Sequence, residues 1–525
     1  MYSIMQSSNN QSETQPRKAK HIILLIVDDV RANQFFQYYH EGKLPNLKQL
    51  GDQGIICEHC ITTFPSITLP SQPAIMTGSY SGYFHEQGNG IPVYHWFDRE
   101  CEPPKYKHYD TFSGPRMATD IGENVKDIFE QVGSGNTYSV FQLICRGATS
   151  FTPKSKIMGL LMAFYGFVIR WKPEVAHPLI TNRIINLFKN PQKYFKDGQK
   201  PSAIVGFYLM TDWLMHHKGY DSDRYIQCIL DFDAEIGKMI NGLRELGVLE
   251  DTVIGIISDH GNYKAKQVSD IRPFFEKYGM IPYNNKKHTG DFDCSFGSIG
   301  FLNFPGASWH EHPTLQQLQN YVPKVGNPTA APMDLTKWVF NIPGVKFAFY
   351  RADGNTPQHG TINIVKKDEN GVFHNGKVEY EGLLTKYTFE DLDVFNYSAD
   401  PIASKLLDGK FHTVDEWLDH THHVDYPIII DQLPRYFKNP RSCDIMVSTE
   451  MEYCYNYSHG KVHLKIKYSH DVGLNSVMQV PFLIIGSSMI QKKKLDYCKT
   501  VDMLPTLLDF MGKKPYEKVD GKSIR

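Results

Sequence analysis

Along this chain, short runs of consecutive apolar residues repeatedly break off at an aspartate or a glycine. The runs are HIILLIVDD (21–29), AIVGFYLMTD (203–212), TVIGIISDHG (252–261) and VPFLIIG (480–486). Continuous apolar runs without alternation mark strands buried on both faces, as in parallel sheets. Between them the spacing turns helical: in residues 222–246, Ile226, Ile229, Leu230, Ile236, Met239, Ile240 and Leu243 recur at helical intervals, with Ser222 placed as an N-cap. Strands alternating with helices predict a doubly wound, mostly parallel α/β sheet with helices on both faces. In such sheets ligands bind beyond the carboxyl ends of the strands, which is where these aspartates stand.

The pattern also suggests a division of the chain. Residues 1–20 are polar and are expected to form a disordered tail. Residues 21–262 hold the first part of the α/β core, and 441–525 the last. Residues 263–440 are rich in Gly, Pro, Tyr and His and carry strand-like pieces such as GTINIVKK, so they are expected to form an inserted α+β subdomain that caps the site and selects substrate. A thirteen-residue apolar run, Ile157–Ile169, is shorter than the roughly 20 residues a bilayer span needs and reads as a core helix. No transmembrane anchor is expected.

Composition narrows the function classes. The 56 Lys and Arg nearly cancel the 57 Asp and Glu, so no global field favours a nucleic-acid polymer. The N-terminus lacks the apolar stretch of a secretory signal, and nine cysteines at scattered spacings suit reduced thiols. The expected location is cytoplasmic, or outside the cell by a route without such a signal. Cys57 and Cys60 form a C-x-x-C pair around His59, but no second pair stands at zinc-ribbon spacing, so both read as core residues.

Several segments offer metal donors at strand ends. In Asp212-Trp-Leu-Met-His216, the i,i+4 spacing puts both side chains on one side if the chain turns helical after the strand. Asp259 and His260 follow an apolar strand directly, and Asp28 ends another. Taken singly, each also fits a cap or a polar turn. Aspartate and imidazole suit zinc and related divalent ions. In FPSITLPSQPAIMTG (64–78), Thr68 precedes a helix expected over Ser71–Thr77, whose N-terminus would favour a phosphoryl anion.

In order, these segments resemble the alkaline phosphatase superfamily, in its nucleotide pyrophosphatase/phosphodiesterase branch. IVDDVRANQF resembles the first metal-aspartate segment, FPSITLPSQPAIMTG the nucleophile segment, TDWLMHHKG the D-x-x-x-H-x-x-G motif and SDHGN the second Asp-His pair. SHDVGLNSVMQVPFLIIG resembles the late histidine segment, and TVDMLPTLLDFMG with VDGKSIR the end of the domain. The resemblance implies Thr68 as nucleophile and two divalent ions, zinc by preference, one on Asp212, His216 and His470 and the other on Asp28, Asp259 and His260. It implies a small phosphoester substrate, a nucleotide among the options, cleaved at a phosphodiester or pyrophosphate bond through a phospho-threonine.

Two positions depart from the family pattern. Tyr94 stands where an asparagine contacts the phosphoryl oxygen, with Asn89 and His85 nearby as substitutes, so Asn89 and Tyr94 are the substrate-binding candidates. Asp471 follows His470 where glycine is usual, and His459 is a rival ligand. Thr68 and Gln72 replace both key positions of the sulfatase C/S-x-P-S-R motif, which argues against sulfate esters. Phosphomonoester hydrolysis stays open, as does a non-catalytic binding role on the same fold.

Overall fold

The computed structural model describes residues 17–83, 85–109, 117–154, 176–458, 461–462 and 466–525. The apolar run 157–169, His459 and most of the N-terminal tail lie outside these. Residues 17–20 lie against the body of the protein: Arg17 and Lys20 both pair with Asp251 at 2.8 Å.

A nine-stranded sheet forms the centre. Its strands include β1 (His21–Val27), β2 (Ile55–Ile61), β3 (Thr137–Val140), β4 (Ser150–Thr152), β5 (Ala203–Tyr208), β6 (Thr252–Ser258), β7 (Gln479–Gly486) and β8 (Lys493–Leu495). Their order is β8-β2-β7-β6-β1-β5-β3-β4. β6, β1, β5, β3 and β4 run parallel, while β7 lies antiparallel between β2 and β6. Apolarity alone cannot show that reversal, because a strand buried on both faces reads the same in either direction.

Side chains of β1 alternate between two cores. Ile22, Leu24 and Ile26 enter one with Ile75, Met76 and Met503, while Ile23, Leu25 and Val27 enter the other with Ile180, Ile184 and Ile229. The helices that supply these residues therefore cover both faces. They are α1 (Ala32–His40), α2 (Thr68–Thr77), α3 (Ala176–Lys189), α4 (Met210–Lys218), α5 (Asp223–Glu245) and, near the C-terminus, Met503–Phe510. α5 starts as its sequence indicates: Ser222 Oγ accepts from the Tyr225 amide at 3.3 Å.

A second nine-stranded sheet is built from antiparallel pairs spanning residues 293–462. Ile445–Ser448 sits in its middle, between Phe347–Arg351 and Ile299–Asn303, and Tyr457–Ser458 lies towards one edge. Both strands lie beyond residue 440, so the inserted sheet recruits chain from past that point. Cys57 and Cys60 are buried in β2, either side of a register shift.

Candidate active site

The register of the central strands builds the site. Val27 pairs with both Tyr208 and Ser258, so β1, β5 and β6 end level. Asp28 and Asp259 leave at that edge. On β5 the chain turns at once into α4, whose first turn carries Asp212 and whose last carries His216. The i,i+4 geometry places His216 Nε2 at 3.2 Å from Asp212 Oδ1.

Two groups of donors converge, each with its ligand atoms within 4.8 Å of one another: Asp28, Asp259 and His260, and Asp212, His260 and His470. His260 is common to both, with its ring 4.0 Å from that of His470. His216 joins the second group through Asp212, and its ring lies 5.1 Å from His470. Thr68 Oγ1 lies 3.0 Å from His260 Nε2, at the point where the groups meet. Thr68 opens α2, while Leu69 takes an extended conformation (φ −116°, ψ 107°) and Gly78 closes the helix at φ 71°. The helix thus begins three residues earlier than the sequence suggests, with a kink directly after Thr68.

The donors are held from behind. His216 Nδ1–H donates to the Tyr468 carbonyl at 2.7 Å, which turns Nε2 toward Asp212. Gln72, one helical turn after Thr68, donates from Nε2 to Asp259 Oδ2 at 2.8 Å. Asp259 Oδ1 accepts from the amides of Asp29 and His260 at 3.2 and 3.0 Å. Asp29 adopts φ 57° and accepts from Asn262 Nδ2 at 2.9 Å, with its Oδ1 3.6 Å from His260 Nδ1. Tyr225 from α5 donates to the Asp29 carbonyl at 2.7 Å. Gln72, Asp29 and Asn262 act through the donors, a role that the sequence does not assign them, although Asp29 follows Asp28 at the strand end, Asn262 closes the SDHGN run and Gln72 lies four residues after Thr68.

Asp28, Asp29, Asp212 and Asp259 bring carboxylates together in a buried space. Burial, then the Asp259, Asp212 and Asp29 carboxylates, hold Asp28 well above the usual carboxylate range. Burial would lower His216 and His260, but Asp212 and Asp259 respectively win and raise each to about 9. His470 goes the other way, lowered by burial and by the His260 and His216 imidazoles. Asp28 Oδ1 is buried without a hydrogen-bond partner, and Asp212 Oδ1 faces the His216 and His470 imidazoles at 3.2 and 3.6 Å. Crowded carboxylates with an orphaned oxygen, interleaved with imidazole nitrogens, fit divalent cations as counter-charge and ligand acceptor.

The substrate-binding candidates fare differently. Asn89 is fully buried, donating to the Ser79 carbonyl at 2.7 Å and accepting from the Ile91 amide at 2.9 Å. Both ends of its amide hold the loop after α2. Tyr94 is half-buried against the core, its ring 5.0 Å from that of His95. His85 is an exposed side chain 3.7 Å from Glu100, and Trp96 is a core residue. Asp471, beside His470, has φ 126° and a buried carboxylate.

Comparison with known proteins agrees with this architecture. Human ectonucleotide pyrophosphatase/phosphodiesterase 5 superposes with a TM-score of 0.55 over 96% of this chain and 97% of its own, at 13% identity. The murine protein of that name gives 0.52 over 94% and 96%, at 13% identity. These likenesses bear out the α/β fold. An uncharacterized pyrophosphatase/phosphodiesterase of Schizosaccharomyces pombe is 23% identical over 248 residues, spanning 46% of this chain but only 44% of that protein. The sequence signature of the type I phosphodiesterase/nucleotide pyrophosphatase family matches residues 22–315, more than half of the chain, and the chain belongs to that family.

Proposed function

We propose that this protein is a two-metal hydrolase that cleaves phosphodiester or pyrophosphate bonds of nucleotide-like substrates through a covalent phospho-threonine. The observation that carries the reading is Thr68 Oγ1, 3.0 Å from His260 Nε2, where the two donor groups share that histidine. Asp28, Asp259 and His260 would hold one divalent ion, and Asp212, His216 and His470 the other, with zinc the best match to the donor set. When bound, such ions lower the pKa of a hydroxyl and screen phosphoryl charge.

Thr68 then attacks phosphorus in line, and the leaving group departs on the opposite side. Thr68 stands at the start of α2, and a helix N-terminus favours a phosphoryl anion. Water next displaces Thr68, so two inversions give net retention. A nucleotide as substrate is supported by the murine relative, solved as an inactive threonine-to-alanine variant in complex with AMP.

The test is hydrolysis of bis(p-nitrophenyl) phosphate and p-nitrophenyl phosphate side by side with zinc-loaded protein. The diester should be favoured, and Thr68→Ala should lose at least ~10³-fold in kcat with its metal content unchanged. A Thr68→Ala enzyme of full activity overturns the proposal.

A further inference from the structure

A second set of imidazole and carboxylate side chains meets away from the catalytic cleft. The histidine-rich stretch at 420–423 spans the end of the helix Val414–Thr421, with His420 in its last turn and His422 at its C-cap. Its members have different duties. His420 Nδ1 donates to the Glu416 carbonyl at 3.0 Å, and His423 Nε2 pairs with Asp400 Oδ2 at 3.0 Å. His422 Nδ1–H donates to the carbonyls of Leu418 and Asp419, both at 3.1 Å. That bond fixes the tautomer, so Nε2 carries the lone pair. The pair at His310 and His312 is occupied elsewhere: His312 bonds Asp444 at 2.6 Å and Pro440 O at 2.9 Å, and His310 bonds Arg99 O at 3.0 Å.

His422 faces a cavity of about 370 Å³ lined by Glu58, His59, Lys494, Leu495 and Asp496. Its ring lies 6.2 Å from that of His59, the exposed histidine between Cys57 and Cys60 on β2. Lys494 is neutralised by Glu58 at 2.6 Å, and Glu58 also lies 3.3 Å from His40. The exposed Asp496 is then the carboxylate that sets the charge of the cavity. Burial keeps the His422 imidazole below its ordinary pKa and therefore neutral, as a metal ligand must be.

We propose that His59, His422 and Asp496 form a binding site for one divalent transition-metal ion, separate from the catalytic pair. Two imidazoles on one tetrahedral ion, with metal–nitrogen bonds of ~2.0–2.1 Å, bring ring centres to about 5 Å. The observed 6.2 Å requires an approach of roughly 1 Å, within reach of the exposed His59 side chain. His422 is the fixed partner: its carbonyl accepts from Asn475 at 3.0 Å and Gln479 at 3.1 Å. Among the described residues, three donors already within 4.8 Å of one another occur only in the catalytic cleft. The His59–His422 pair is wider than those groups and would have to close on its ion. Closure would join β2, the end of the Val414–Thr421 helix and the segment after β8.

The experiment titrates Zn²⁺ into full-length, chelator-stripped protein by calorimetry, comparing wild type with His59→Gln and His422→Gln, and follows diester turnover in parallel. Wild type should bind one equivalent more than either variant, with turnover at saturating zinc unchanged. Because His59 is exposed, His59→Gln also guards against misfolding at His422. Cu²⁺ added to zinc-loaded wild type should give an electron paramagnetic resonance signal with two-nitrogen coupling that falls to one nitrogen or disappears in each variant. Equal stoichiometry in wild type and both variants, or an identical copper signal, overturns the proposal.

Discussion

Asp471 gives the sharpest test of how the inserted sheet is tied to the site. Its buried Oδ2 accepts from the amides of Ser298 and Ile299 at 2.9 and 3.0 Å, and Oδ1 accepts from the Tyr263 hydroxyl at 3.0 Å. The residue adjoins His470, and it bridges Ser66, two residues before Thr68. Ser66 Oγ donates in turn to the Val472 carbonyl at 2.7 Å. Asp471→Ala would leave two buried amides without an acceptor, at ~1–3 kcal/mol each, so about 2–6 kcal/mol is lost. Asp471→Asn keeps an oxygen for the amides and turns its NH₂ to the Tyr263 hydroxyl, which accepts, so the loss should stay below about 1 kcal/mol. Asp471→Gly loses the same acceptors but recovers ~1–3 kcal/mol of backbone strain at φ 126° and should fall between them. Urea midpoints at matched metal load rank the three, and kcat/KM should follow the same order because the loop carries His470. Equal stability of the Ala and Asn variants would refute the reasoning.

Three further outcomes are expected. Gln72→Leu removes the 2.8 Å bond to Asp259 and should weaken metal binding ~10–100-fold, read by competition with a chelating dye. Asp28→Asn relieves like-charge crowding around a carboxyl held well above its usual range, so in chelator its melting temperature should exceed wild type while metal content falls. In the metal-free protein His216 and His260 are raised to about 9, so their contribution to stability is full below about pH 6.5 and is lost as pH rises through about 9. Metal must displace those protons. Its apparent affinity should therefore fall as pH drops below about 9, with protons from both imidazoles released near pH 7, measured by calorimetry in buffers of different ionisation enthalpy.

Much of this site was legible in sequence because its parts are local. Apolar runs ending at Asp28 and Asp259, the i,i+4 pair of Asp212 and His216, and the Ser222 cap each depend on neighbours within a few residues. What sequence could not give depends on partners far along the chain. Gln72 acquires its role from Asp259, 187 residues away, and Asp471 from Ser298, 173 residues away. Asn89 has a structural duty that sequence does not show, because its amide bonds the Ser79 carbonyl and the Ile91 N–H around it. The reversal of β7 and the recruitment of Ile445–Ser448 into the inserted sheet are matters of topology. The inward alternation of a strand looks the same whichever neighbour it pairs with.

The central claim is attack by Thr68, and stereochemistry at phosphorus tests it most directly. A chiral phosphorothioate diester of a nucleotide, hydrolysed in ¹⁸O-labelled water by the zinc-loaded enzyme, should give a product of retained configuration, because two in-line displacements cancel. Inverted configuration would mean that water attacks phosphorus directly, and would contradict the account.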